Sequence, residues 1–169
     1  MTLGAGASRA RILVRVTLPV LIADAVTKRL AVAHLQPPLS PHPVIGDAVR
    51  LTLAYNREGV MGLPVGPYGR WVLIGVTVVI LIVLARLLRD TGPGQRLRAL
   101  AIALIMGGAV GNLVDRLASS RGVVDFIDVG TPTWRFWTFN VADMAVDVGV
   151  VLLAWALWRA AEREPPRPG

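Results

Sequence analysis

A chain of 169 residues that is 54% hydrophobic and only 17% charged carries more apolar surface than a soluble domain of that size can bury, so its natural solvent is lipid. The absence of cysteine excludes disulfides, thiolate metal sites and cysteine nucleophiles. The net charge of +7 does not mark a nucleic-acid-binding protein, because the arginines flank apolar runs instead of covering one face.

Residues 12–35 form the first apolar segment, interrupted by Asp24, Thr27, Lys28 and Arg29. Its length and its internal charges set it apart from a secretory signal peptide. Residues 36–70 open with Pro37, Pro38, Pro41 and Pro43, which predicts an extended or irregular start. His34 and His42 lie in or beside this stretch, and neither has a metal-ligand spacing, so no metal and no cofactor are expected. Val49 to Tyr55 alternates as a strand does. Residues 71–88 are the cleanest apolar run and reach about 27 Å as a helix, enough for the hydrocarbon core. A third run covers 97–117. The connection over 118–139 contains two strand-like stretches, 123–129 and 134–139. The last apolar run covers 140–159, and residues 160–169 read as a charged, proline-rich, disordered tail.

The four runs lack the period-two alternation of barrel strands, so they are predicted to be helices. The expected fold is an all-α membrane protein: one domain over 1–169, a four-transmembrane-helix bundle with a small extracytoplasmic β element. Ten of the 18 basic residues lie in the two terminal segments and the short loop near Arg86, Arg89, Arg96 and Arg98. Both termini are therefore expected to be cytoplasmic. Trp71, Trp134 and Trp137 would then lie in an outer aromatic belt, and Trp155 and Trp158 in an inner one.

An ionisable side chain inside a membrane helix costs roughly 2.5–3.5 kcal/mol on insertion scales, so such residues are functional candidates. Asp24 and Lys28 fall in the outer half of the first span, Asn112, Asp115 and Arg116 end the third, and Asn140 and Asp143 begin the fourth. Asn56 and Asp125 lie in the outer connections. All point to one face of the bilayer. Asp24 and Lys28 are four apart, as are Asn112 and Arg116, with Gly108 one turn earlier; Asn140 and Asp143 are three apart, so each set shares a helix face. Gly107 and Gly111 form a G-x-x-x-G suited to close helix packing. Taken singly, each has a structural explanation: an ion pair, a membrane boundary, a turn, or a carboxylate at a helix N-terminus. Their convergence is what suggests a site.

Without cysteine, metal ligands or a base beside Ser119 and Ser120, the chemistry left is that of paired carboxylates. Two close aspartates share a proton, so one can activate water while the other donates. Asp143 supplies one; Asp125, Asp128, Asp115 and Asp24 are all possible partners on spacing alone.

Five stretches resemble the signature of bacterial lipoprotein signal peptidases (signal peptidase II, aspartic peptidase family A8). They are D-A-V-T-K (Asp24 to Lys28), Y-N-R-E-G-V-M-G (Tyr55 to Gly62), G-G-A-V-G-N-L-V-D-R (Gly107 to Arg116), V-V-D-F-I-D-V (Val123 to Val129) and F-N-V-A-D (Phe139 to Asp143). The resemblance implies an aspartic endopeptidase of the bacterial plasma membrane, multi-pass, with its site toward the extracytoplasmic face. Such enzymes remove signal peptides from diacylglyceryl-modified prolipoproteins, cutting before the lipidated cysteine. It implies Asp125 and Asp143 as the catalytic dyad. Asn112, Arg116 and Asn140 would position dyad and substrate, and Asp24, Lys28, Asn56, Gly108 and Asp115 would shape the pocket. Partners would be the diacylated prolipoprotein, membrane lipids and globomycin-type inhibitors, with no nucleic acid. The chain departs from the family pattern at Ala25, Glu58, Met61, Met144 and Asp147. Two other classes compete: a catalytically inactive or diverged relative that binds lipoproteins, and a small membrane transporter, which would need polar groups reachable from both faces.

Overall fold

The computed structural model describes residues 3–57, 66 and 68–163. Its four long helices are α1 (Leu3–His34), α2 (Gly69–Arg89), α3 (Arg96–Ala118) and α4 (Val141–Arg163), and its strands are β1 (Pro41–Ile45), β2 (Val49–Asn56) and β3 (Val123–Val129). Three helices, α2, α3 and α4, are long and apolar enough to cross a membrane. α1 is longer still but carries Arg15, Asp24, Lys28 and Arg29. Its periodicity sorts them. Val14, Leu18, Ile22, Val26 and Leu30 recur every four residues as an exposed apolar stripe, while Asp24, Lys28 and Ala31 are buried on another face. α4 continues through Arg163, so residues 160–163 are helical and not tail; residues 164–169 lie outside the described residues.

α3 is the central helix, packing most extensively on α4, then α1, then α2. Its glycines let the neighbours approach. Gly107 lies against Thr17 and Val20 of α1, and Gly111 against Asp24 further along, so α1 and α3 run parallel. Gly108 meets Ala142, and Gly149 meets Ala101 and Ile105, so α4 runs the other way. Arg9 donates to the carbonyls of Arg89 and Thr91, which puts the start of α1 beside the end of α2. At the opposite end Arg70 donates to the Arg116 and Leu117 carbonyls at 2.6 and 3.1 Å, satisfying two of the acceptors that every helix leaves open at its C-terminus.

The strands form one antiparallel sheet in the order β1-β2-β3 at that second end, with a register irregularity in each pairing. Of the extended or irregular start expected here, β1 is the extended form. Pro41 and Pro43 sit in a strand because it is an edge strand, where a missing N–H leaves no ladder bond unmade. Residues 134–139 correct the expectation of a strand. They make only isolated bridges, Ile127 with Phe139 and Gly130 with Arg135, because the segment folds back across the end of β3. Ala31, Leu35, Leu53 and Phe126 form an apolar cluster that seats the sheet on the bundle, while Leu84, Leu88, Ala99, Ile102 and Ile105 pack α2 on α3 nearer the other end.

A Cβ on Gly108 would stand 2.1 Å from the Ala142 carbonyl oxygen, and backbone cannot yield as a side-chain tip does. Gly108→Ala is expected to cost about 1–3 kcal/mol by overpacking. Gly75→Ala, where nothing lies within 4 Å, should be neutral or mildly stabilising. Thermal unfolding of the two purified variants in detergent checks the contrast.

Candidate active site

The polar residues of α1, α3 and α4 meet where the bundle joins the sheet. Lys28 of α1 is buried, and its ammonium has three donors to satisfy. It reaches Asp24 Oδ2 at 2.7 Å, Asp115 Oδ2 at 2.9 Å and Asn112 Oδ1 at 3.0 Å. Asp24 turns its other oxygen to the backbone N–H of Ala142 at 3.0 Å, one of the unpaired donors in the first turn of α4. Asp115 also accepts the Val124 N–H at 3.2 Å, which ties α3 to β3. The pair on α1 thus holds α3 and α4 as well as itself.

Asn140 caps α4. Its Oδ1 accepts the Asp143 N–H at 3.0 Å, and Asp143 Oδ2 accepts the Asn140 N–H at 3.1 Å, a reciprocal capping box. Because Oδ1 must accept there, the amide cannot be flipped, and Nδ2 must face the other way. It donates to Asp125 Oδ1 at 2.7 Å and lies 3.2 Å from Asn112 Oδ1 and 3.3 Å from the Val124 carbonyl. Asn112 Nδ2 donates to Asp143 Oδ1 at 2.7 Å. Asp125 and Asp143 therefore stand on either side of one fully buried asparagine.

Asn56, at the end of β2, donates its side chain to Asp125. It is held there by the turn before β3. Gly122 has φ +96°, and a Cβ on it would lie 2.2 Å from the Asn56 carbonyl oxygen, so only glycine fits. Arg116 lies within electrostatic reach of Asp143, Asp125 and Asp115, and its NH1 donates to the Asn112 carbonyl at 3.3 Å. Beside Asn56 and Arg116 an open cavity of about 430 Å³ extends past Arg57, Arg70 and Trp71.

Burial first, and then the charge of Asp143, push the Asp125 carboxyl up to about 7, against the hydrogen bonds from Asn140 and Asn56 and the charge of Lys28. Asp128 behaves oppositely. Burial would raise it, but hydrogen bonds from Arg135, Thr52 and Arg50 outweigh that and hold its carboxyl below the usual carboxylate range. Four carboxylates, Asp24, Asp115, Asp125 and Asp143, thus gather around two cations, Lys28 and Arg116.

All ten residues singled out from the sequence lie in or against this cluster, Gly108 by packing on the first turn of α4 and not through polar contact. Sequence reasoning missed Gly111 as a site residue, although a Cβ there would stand 2.8 Å from Asp24 Oδ2. It also missed Arg70, whose role at the end of α3 has no local signal. Asp147, one of the departures from the family pattern, is exposed and outside the hydrogen-bonded network of the described residues, and Met144 is exposed too. Glu58 and Met61 lie outside the described residues. No group of side chains suited to holding a metal occurs among the described residues.

A family model described as signal peptidase (SPase) II matches residues 16–159. The lipoprotein signal peptidase of Moorella thermoacetica is 38% identical over 152 residues, covering 89% of this chain and 95% of that protein. That of Geobacillus kaustophilus is 37% identical over 134 residues, covering 79% and 84%. Two solved structures, each described as a bacterial membrane enzyme, superpose with TM-scores of 0.79 and 0.74 at 28% and 30% identity. The first covers 93% of both chains, the second 86% of this chain and 91% of the other.

Replacing Lys28 by methionine would leave Asp24 and Asp115 without their shared cation. The expected cost is about 3–5 kcal/mol, since one partner of a buried network is removed and the rest stays charged. A thermal unfolding midpoint equal to that of the unmodified protein would show that the ammonium is not what holds α1, α3 and β3 together.

Proposed function

This chain belongs to the signal peptidase II family and is a membrane peptidase, and from that premise we propose that it removes signal peptides from diacylglyceryl-modified prolipoproteins by an aspartic mechanism, cutting before the lipidated cysteine. Asp125 and Asp143 are the catalytic pair. The observation that carries this reading is the shared contact with Asn140: Asp125 receives its side-chain amide and Asp143 its backbone N–H. Of the possible partners for Asp143, Asp24 and Asp115 are committed to Lys28, and Asp128 to Arg50 and Arg135. Asp125 alone of these makes no ion pair among the described residues.

In the working state Asp125 is protonated and Asp143 is ionised. Asp143 takes a proton from water as the water oxygen attacks the scissile carbonyl, while Asp125 donates to the carbonyl oxygen. The proton on Asp143 then passes to the leaving amine as the C–N bond breaks, and Asp125 takes a hydroxyl proton back from the collapsing diol, which restores the pair. Asn140, Asn112 and Asn56 hold the two carboxyls in place. Arg116 sets positive charge beside them and beside the cavity that receives the peptide. Asp24, Lys28 and Asp115 fix the three helices that converge there, and Gly108 and Gly111 let those helices approach.

The chain acts as a single domain with four spans. α1 is the fourth, its exposed stripe toward lipid and its charges toward α3. Arg9, Arg11, Arg86, Arg89, Arg96 and Arg98 crowd the end away from the sheet, and this supports the reading that both termini are cytoplasmic and the site lies at the extracytoplasmic face of a bacterial plasma membrane. The scissile bond of a diacylated substrate lies at that depth, among membrane lipids. Globomycin-type peptides are expected to compete for the same cavity.

Asp125→Asn and Asp143→Asn are each expected to abolish cleavage of a diacylated substrate, by at least about 10³-fold, while the protein still inserts and folds. A gel-shift cleavage assay with purified protein tests this, and normal processing by either variant rejects the dyad. Activity should fall as pH rises through about 7, where Asp125 loses its proton, and again in acid, where both carboxyls are protonated. Stability carries the matching sign. The folded protein holds a proton on Asp125 up to about pH 7, whereas an unfolded aspartate gives it up near 3.8, so the cost of burying this group grows across that window and then levels off. Asp125→Asn should therefore raise the thermal midpoint increasingly from pH 4 to 7 and evenly above it.

A further inference from the structure

The two aspartates are joined through the segment between β3 and α4, and a nested series of pairs closes that segment. Innermost, Asn140 donates to Asp125 at 2.7 Å. Next, the Phe139 carbonyl accepts the N–H groups of Phe126 and Ile127 at 3.0 and 2.8 Å, and the Phe139 N–H donates to Ile127 at 3.0 Å. Outermost is Arg135. Its Nε donates to Asp128 Oδ1 at 2.5 Å, its NH2 to the Asp128 carbonyl at 3.0 Å, and its NH1 to the Asp47 carbonyl at 2.8 Å in the β1–β2 turn. The second oxygen of Asp128 accepts Arg50 Nε and Thr52 Oγ1, each at 3.1 Å. One buried carboxylate thus binds β2 and β3 to the returning segment, through an arginine seven residues further along the chain. These hydrogen bonds of Asp128 and Arg135 go to Arg50, Thr52, Asp47 and one another and not to the dyad, and the reaction as derived does not use either residue.

We propose that the Asp128–Arg135 pair is a positioning device for the dyad: it closes the outer end of this ladder and so holds the Asn140 amide between Asp125 and Asp143. Asp128 and Arg135 then act on the reaction only through Asn140. This rests on the reading of Asp125 and Asp143 as the catalytic pair. A bidentate arginine at this place is also not interchangeable with lysine, because only the planar fork reaches the side chain and the carbonyl of Asp128 at once.

The electrostatic surroundings give the idea a sign. Asp125 is faced by Asp143 of α4, Lys28 of α1 and Arg116 of α3, and by the neutral amides of Asn140 and Asn56. Asp128→Asn removes a negative charge from β3. Acting through space alone, that change favours ionised Asp125 and moves the alkaline limb of the pH profile down. Acting through a loosened Asn140, it withdraws a hydrogen bond that favours the ionised form, and the limb moves up. The two mechanisms predict opposite shifts.

The test is kcat and KM of the full-length protein in detergent against a synthetic diacylated prolipopeptide, measured from pH 5 to 9. For Asp128→Asn the expected result is a kcat lower by about tenfold, KM within about twofold, and an alkaline limb raised by about half a unit or more. Arg135→Ala should match or exceed that loss, with Arg135→Lys recovering only part of it. An unchanged kcat for Asp128→Asn, or a lowered kcat with the limb unmoved or moved down, overturns the proposal. Should Arg135→Ala not fold, the isosteric Asp128→Asn alone decides. Asp125→Asn serves as reference: if it still cleaves, the dyad itself is wrong, whereas if it is inactive and Asp128→Asn is normal, only the positioning role is.

Discussion

An ammonium group taken out of water needs three acceptors, and Lys28 finds them on two helices. That one residue binds Asp24 on its own helix and Asp115 and Asn112 on α3, and its partners extend the connection to α4 and β3. The Coulomb attraction in a dry interior is large, but so is the cost of removing each ion from water, and the balance is favourable only when every donor and lone pair is met. Here they are met with helix ends as well as side chains. Asp24 caps α4, Asp115 holds the first residues of β3, and Asn140 and Asp143 cap one another. The start of α4, the end of α3 and the sheet-side half of α1 are therefore fixed by the same set of bonds.

Within that frame Asp125 is the exception. Its neighbours among the described residues are amides and a second carboxylate, with cations reaching it only across a distance. Burial, and then the charge of Asp143, raise its proton affinity, with no directly paired cation to offset them. The acid–base exchange between carboxyls proposed above needs one group that keeps its proton near neutral pH.

The sequence revealed some of this and hid the rest for physical reasons. Helical spacing alone puts Asp24 with Lys28 and Asn140 with Asp143, because those pairs are local and a helix fixes their separation. It cannot show that Lys28 also reaches Asp115, or that Asp24 caps Ala142, because both depend on how α1 docks on α3 and α4. The run over 134–139 alternates like a strand, yet the bond from Arg135 to Asp128 folds it back, and tertiary contact overrides propensity. β1 was obscured by the reverse effect, since prolines argue against a strand except at an edge, and edges are assigned only once the sheet is known. Arg70 carries no local signal, because its carbonyl partners on α3 lie 46 and 47 positions away.

Gly122, bent back with its α-carbon against the carbonyl of Asn56, carries a last consequence. The strand holding Asp125 begins one residue later and only four residues after α3 ends. Asp115, Asp125 and Asp143 therefore belong to a single stretch of chain, and bringing them together requires closing only short loops, at small entropic cost. Most of the cluster can thus assemble as the second half of the polypeptide folds on itself. α1 and Asn56 are the late arrivals, whose long-range contacts must wait for that half to be in place.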